Sequence, residues 1–178
     1  MTSVSIVIPM RNEAENVGPL IADITTAIAD LSDYEIIVVD DGSTDDTAAR
    51  TRALSLQDPR IRLVRHAKSA GQSAAVHSGV MRATAPIICT LDGDGQNPPV
   101  ELPKLYTPLL QDQTGQLALV AGQRVARQDT LSKKLASRLA NGLRGWLLRD
   151  GTRDTGCGLK GFRREAFLSL PYFDHMHR

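Results

Sequence analysis

Aromatic residues are scarce, at 4% of 178 residues, so a core has to be built from Val, Ile, Leu and Ala. Cysteine is nearly absent. Cys89 and Cys157 are too few for a disulfide framework, and a reduced cytosolic setting follows. No window approaches the ~18 continuous apolar residues of a membrane-spanning helix. The N-terminus lacks a basic stretch followed by an apolar run and a small-residue cleavage site, which argues against secretion. A charged fraction of 23%, with 14 Gly and 9 Pro, excludes collagen-like and disordered chains. The length fits a single domain spanning 1–178.

What is present is unevenly distributed. Residues 1–121 hold 9 Lys+Arg against 15 Asp+Glu, whereas residues 122–178 hold 12 against 5. An acidic part fused to a basic part suggests a cation site in the first and an anionic partner for the second. A solvated basic helix is the plainer reading of the second part. Along the chain, short apolar runs alternate with helical patterns. Val4–Pro9, Glu35–Val39, Ile61–Val64, Ile87–Leu91 and Leu117–Ala121 read as strands. Val17, Leu20, Ile21, Ile24 and Ile28 recur at helical spacing within Glu13–Leu31. Further helices are expected after a Ser43 or Thr44 cap, over Ala74–Arg82, and from Pro99 through Leu110. Continuous apolar runs mark strands buried on both faces, so the expected fold is α/β, a doubly wound, mostly parallel sheet.

Ligands in such sheets gather at the carboxyl ends of the strands. Arg11, Asn12 and Glu13 follow the first strand, Asp40 and Asp41 the second, and Asp92 and Asp94 the fourth. In Asp92-Gly93-Asp94 the glycine lets the backbone turn, and two carboxylates can face one hard cation such as Mg2+ or Mn2+. Asp40-Asp41-Gly42-Ser43 suits a base- or ribose-binding turn, or else a capped turn complementing a helix dipole. Gly156–Gly161 matches G-x-G-x-x-G, but no buried strand precedes it, so it reads as a tight approach near the site. Cys157 reads as a small packed residue, and His66 and His77 as structural. Over 130–148, Leu131, Leu135, Leu139, Leu143 and Trp146 form an apolar stripe opposite Lys133, Ser137, Asn141 and Arg144. Lys133 and Arg144, with Lys134 and Arg138 beside them and Arg124 and Arg127 just after the fifth strand, could clamp an anion.

Together these pieces resemble the family-2 glycosyltransferases, in the order SIVIPMRNEAE (5–15), VVDDGST (38–44), GQSAAVHSG (71–79) and LDGDGQNPP (91–99). The match is similar in detail to the polyprenyl-phosphate branch, which includes dolichol-phosphate mannosyltransferases and undecaprenyl-phosphate sugar transferases. Asp92, Asp94, Gln96, Pro98 and Pro99 fit its D-x-D-x-Q-x-P-P element. Gly122–Arg124, Lys133–Ser137, Ser137–Asn141, Asp154–Lys160 and the pair His177-Arg178 fit others. The resemblance implies the nucleotide-diphospho-sugar transferase (GT-A) fold. It implies that Pro9, Arg11, Glu13, Val39, Asp40 and Asp41 hold the nucleotide, and that Asp92, Asp94 and Gln96 carry Mg2+ or Mn2+. Arg124, Lys133 and Ser137 would meet an acceptor phosphate, and Arg178 a phosphate as well.

The reaction so implied is inverting transfer of a sugar from a GDP- or UDP-linked donor to a polyprenyl phosphate. A phosphate monoester is already anionic, with a second pKa of ~6, and needs no general base. The segment Thr155-Gly156-Cys157-Gly158 accordingly lacks the acidic pair of relatives that use hydroxyl acceptors. Two alternatives stay open: a saccharide-hydroxyl acceptor, and a nucleotide-sugar-binding module without turnover. Expected partners are the nucleotide sugar and the lipid phosphate, with no nucleic acid. Peripheral contact with the cytoplasmic face of a membrane is expected through the basic segment.

Overall fold

The computed structural model describes residues 3–123 and 156–173. Three parallel strands form first: β1 (Val4–Met10), β2 (Tyr34–Asp40) and β3 (Ile61–Arg65). The helices between and after them are α1 (Ala14–Ala27), α2 (Thr47–Gln57) and α3 (Gln72–Arg82). Then follow β4 (Ile87–Thr90), a 3-10 turn at Pro99–Glu101, α4 (Leu102–Gln111) and β5 (Leu119–Ala121). Beyond the undescribed stretch come β6 (Lys160–Arg163) and α5 (Arg164–Leu168).

The sheet order is β3-β2-β1-β4-β6-β5. The first four strands run parallel, as the unbroken apolar runs require, since β1 and β2 are buried on both faces. Alternate side chains then serve two cores. Ile6, Ile8, Ile36 and Val38 pack against α1 and α4 residues such as Val17, Ile24, Leu102 and Leu109. Val7, Ile37 and Val39 pack on the other side with Ala75, Val76 and Val80 of α3. All five residues of the predicted α1 stripe are buried.

The strand expected over Leu117–Ala121 is present as Leu119–Ala121, but it lies largely exposed at the sheet edge and pairs antiparallel with β6, which itself runs antiparallel to β4. Lys160–Arg163 was not anticipated as a strand because KGFR carries two basic residues and a glycine. Its fixing residue is Arg163, whose guanidinium donates to the carbonyls of Leu109, Leu117 and Asp112 and to the Asp112 carboxylate. The expected cap of α2 is not observed. The helix starts at Thr47, and Ser43 and Thr44 do not cap it; instead Asp45 accepts from the Thr47 amide at 3.0 Å. Ser43 is used elsewhere, accepting from the Asn12 amide.

The chain runs from β1 one way to β2 and β3, and later returns to lay β4 on the other side of β1. The crevice between the carboxyl ends of β1 and β4 is therefore the switch point at which ligands collect.

Candidate nucleotide and cation site

The loops after β1 and β2 are stitched together. Asn12 takes a left-handed conformation (φ 56°), which Asn tolerates better than most residues. Its amide donates to Ser43 Oγ at 2.9 Å and its side-chain oxygen accepts from the Thr44 amide at 2.9 Å. The Glu13 amide donates to Thr47 Oγ1, and the Ala14 amide to Asp45. Arg11 and Glu13 are thus held beside the end of β2.

Asp41 fixes a third loop. One carboxylate oxygen meets His66 Nδ1 at 2.7 Å and accepts from the Ala70 amide at 2.8 Å. The other accepts from Ser69 Oγ at 2.7 Å and the Gly71 amide at 2.9 Å. Burial alone would raise its pKa, but these bonds outweigh it and bring the carboxyl down to about 2. His66 in turn bonds Ser78 Oγ through Nε2 at 2.9 Å. Gly42 is pressed onto the same loop, where a Cβ would lie 2.5 Å from the Ser69 nitrogen, and its φ of +68° is left-handed.

Asp92 is held from two sides. Gln72 Nε2 donates to Oδ1 at 2.7 Å and Asn97 Nδ2 to Oδ2 at 2.9 Å. Gly158 closes the third side: a Cβ there would sit 2.1 Å from Asp92 Oδ2. The tight approach expected of Gly156–Gly161 is therefore real, and Thr90 Oγ1 anchors it by donating to the Gly158 carbonyl. Cys157 is buried and packed, as expected. Asp94 is exposed and accepts the Gln96 amide.

These pieces converge. Pro9, Arg11, Glu13, Asp41, Asp92 and Asp94 line one polar cavity of about 400 Å³. The structure does not bring every expected residue there. Val39 is fully buried in the α3-side core, and Gln96 is exposed but outside the cavity lining. Asp40 is fully buried, with Oδ1 accepting the Ser43 amide and Oδ2 3.2 Å from the Arg65 guanidinium, paired by charge without hydrogen-bond alignment. Arg124, Arg127, Lys133, Ser137, Asn141, Arg144 and Arg178 lie outside the described residues. Sequence reasoning missed Gln72, Asn97 and the link from His66 to Asp41. Only the GQS triplet gave a signal, as part of a matched segment; nothing local marks His66.

The cavity's described lining carries four carboxylates and one guanidinium. An anionic diphosphate would be repelled unless a cation entered with it. The donors suit one: the Asp92 and Asp94 carboxylates are hard oxygen ligands of the kind Mg2+ and Mn2+ take. Among the described residues no cluster of three or more His, Cys, Asp or Glu could hold a metal ion by itself. Phosphate oxygens and water would have to complete the shell, the usual arrangement for Mg2+.

A second cavity of about 640 Å³ adjoins the first, sharing Pro9, Gln72 and Asp92. Its far wall is apolar: Val76, Leu119, Phe162, Phe167, Leu170 and Phe173. Phe162 and Phe167 stack at 4.9 Å.

A switch-point site with strand-end carboxylates, on this strand order, defines a GT-A domain, the class of nucleotide-sugar transferases. The Glycosyl transferase family 2 model matches residues 5–170, and the chain belongs to that family. Dodecaprenyl-phosphate galacturonate synthase of Rhizobium johnstonii is 34% identical over 98% of this chain and 52% of its own length. Undecaprenyl-phosphate 4-deoxy-4-formamido-L-arabinose transferase of Sodalis glossinidius is 39% identical over 94% of this chain and 51% of its own length. The chain thus spans about half the length of these curated relatives. Mycobacterium tuberculosis glucosyl-3-phosphoglycerate synthase, crystallised with Mn2+, UDP-glucose and glycerol 3-phosphate, superposes with a TM-score of 0.73. It is 27% identical, over 96% of this chain and 60% of that one.

Proposed function

We propose that this chain transfers a sugar, with inversion, from a nucleotide diphosphate to a polyprenyl phosphate, and that a divalent cation assists it. The observation that carries this reading is the meeting of an acidic cavity and an apolar one at Asp92. A transferase for a lipid phosphate needs that pairing: a charged end for two phosphates and a greasy exit for the acceptor's tail.

In this reading Pro9, Arg11, Glu13 and Asp41 hold the nucleotide, with buried Val39 and Asp40 supporting them from beneath. Asp92 and Asp94 would hold Mg2+ or Mn2+, with Gln96 flanking them from outside the cavity lining, and the cation when bound would supply charge neutralisation for the departing diphosphate. Arg124, Lys133 and Ser137 meet the acceptor phosphate. One phosphate oxygen attacks the anomeric carbon as the bond from that carbon to the diphosphate oxygen breaks, and the nucleoside diphosphate leaves. The attacking oxygen is already anionic, so the protein supplies alignment and cationic cover rather than a base. Gly158 agrees with this, because any side chain there would overlap Asp92. A saccharide acceptor fits the apolar wall less well, since each buried hydroxyl would need a polar partner.

Among the described residues no helix is long and apolar enough to cross a membrane. Membrane contact in this reading is peripheral, at the cytoplasmic face, through the basic residues of 122–178. The test is transfer of radiolabelled sugar from GDP- and UDP-sugars to farnesyl phosphate and to an oligosaccharide, with wild type, Asp92→Asn and Asp94→Asn. Transfer to farnesyl phosphate alone, lost in both variants, is expected. Equal transfer by the variants, or transfer only to the oligosaccharide, would refute it.

A further inference from the structure

Asp92 is held by a side chain that belongs to the nucleotide side of the site. Gln72 is the first residue of α3, and its amide donates to Asp92 Oδ1 at 2.7 Å. The backbone just before it, Ser69 to Gly71, is fixed by Asp41 through three hydrogen bonds. Asp41 is itself braced by His66, and His66 by Ser78 of the same helix α3. Hydrogen bonds and a few residues of backbone therefore connect the pocket wall of Asp41, Ser69 and Gly71 to the carboxylate at the end of β4. Each carboxylate oxygen keeps a second lone pair after accepting one bond. The bonds from Gln72 and Asn97 thus orient Asp92 without using it up.

We propose that Gln72 is a positioning residue that aims Asp92 at the cation. The inference rests on reading the polar cavity as a nucleotide and cation site. Groups that orient a metal ligand from behind commonly matter by ~10–100-fold in metal affinity. An oriented Asp92 costs less to order when the cation arrives.

The experiment is titration of the protein with Mn2+, followed by the electron paramagnetic resonance signal of free Mn2+, alone and with UDP or GDP. Nucleotide affinity without metal is measured in parallel by calorimetry. Gln72→Leu keeps the shape and removes the donor; Gln72 is exposed in the first turn of α3, so folding is retained and is checked by thermal melting. The expected result is Mn2+ affinity in the presence of nucleotide weakened ~10–100-fold, with metal-free nucleotide affinity unchanged. Mn2+ affinity within twofold of wild type overturns the proposal. So does an equal loss of nucleotide affinity without metal, which would put Gln72 on the nucleotide itself. Wild type that binds Mn2+ but no nucleotide refutes the nucleotide reading of the site, while the Gln72→Leu comparison on Mn2+ alone still reports the bracing of Asp92. Wild type that binds no Mn2+ in any form refutes both.

Discussion

Replacing Asp41 by Asn tests whether one buried carboxylate organises the nucleotide side of the site. Both oxygens face donors: His66 and the Ala70 amide on one side, Ser69 and the Gly71 amide on the other. An Asn amide, whichever way it is turned, points its NH2 at a backbone N–H that cannot rotate away. The lost charge-assisted bonds and the orphaned donor cost about 3 kcal/mol at neutral pH. The pH dependence gives a second handle. Asp41 titrates at about 2 when folded against 3.8 ordinarily, a gap of about 2.5 kcal/mol at ~1.4 kcal/mol per pH unit. Because the folded pKa is the lower one, this stability is present above the unfolded value and is lost as pH falls through the folded value. Urea unfolding of wild type and Asp41→Asn would be compared from neutral pH downward. The difference should hold down to about pH 5, fall by roughly half near pH 3, and nearly vanish near pH 2. A difference that is flat with pH, or below about 0.5 kcal/mol at neutral pH, would refute the view that this carboxylate holds the loop.

Three further outcomes follow from particular contacts. Gly158→Ala should displace Asp92 and abolish Mn2+-dependent nucleotide binding, read by calorimetry, because the added Cβ falls 2.1 Å from Oδ2. Glu35 accepts from Ser5, Thr84 and Arg62 at the far end of β2. Burial pushes its pKa up, yet these bonds leave it lowered. Glu35→Gln should therefore destabilise the protein at neutral pH, and the deficit should shrink as acid protonates the wild-type group, as followed by urea midpoints. Cys89 is fully buried and its thiol is pushed up to about 12, so it should resist a thiol reagent at mildly alkaline pH until denaturant is added.

The parallel half of the fold was legible because burial on both faces writes itself as unbroken Val and Ile runs, as in Glu35–Val39. The strand-end acids were legible for the same reason: they come where those runs stop. Lys160–Arg163 was not legible, because an antiparallel strand docked by an arginine onto distant carbonyls leaves no local pattern. The roles of Gln72 and His66 were hidden differently. Each depends on a partner 20 or 25 residues away in sequence, so only folding brings Gln72 to Asp92 and His66 to Asp41.

The place of β6 has a consequence for how the chain becomes a folded object. This strand, formed by residues 160–163, is inserted between β4 and β5, which precede it by tens of residues. Until it is made, β4 presents an apolar edge with open backbone groups, a template for pairing with another chain. During synthesis the nucleotide side of the sheet can assemble early, while the side that closes on Asp92 must wait. A nascent chain released before residue 163 would carry most of its core and an unprotected seam. Such a species invites aggregation, and the glycine that fits against Asp92 arrives together with the strand that seals it.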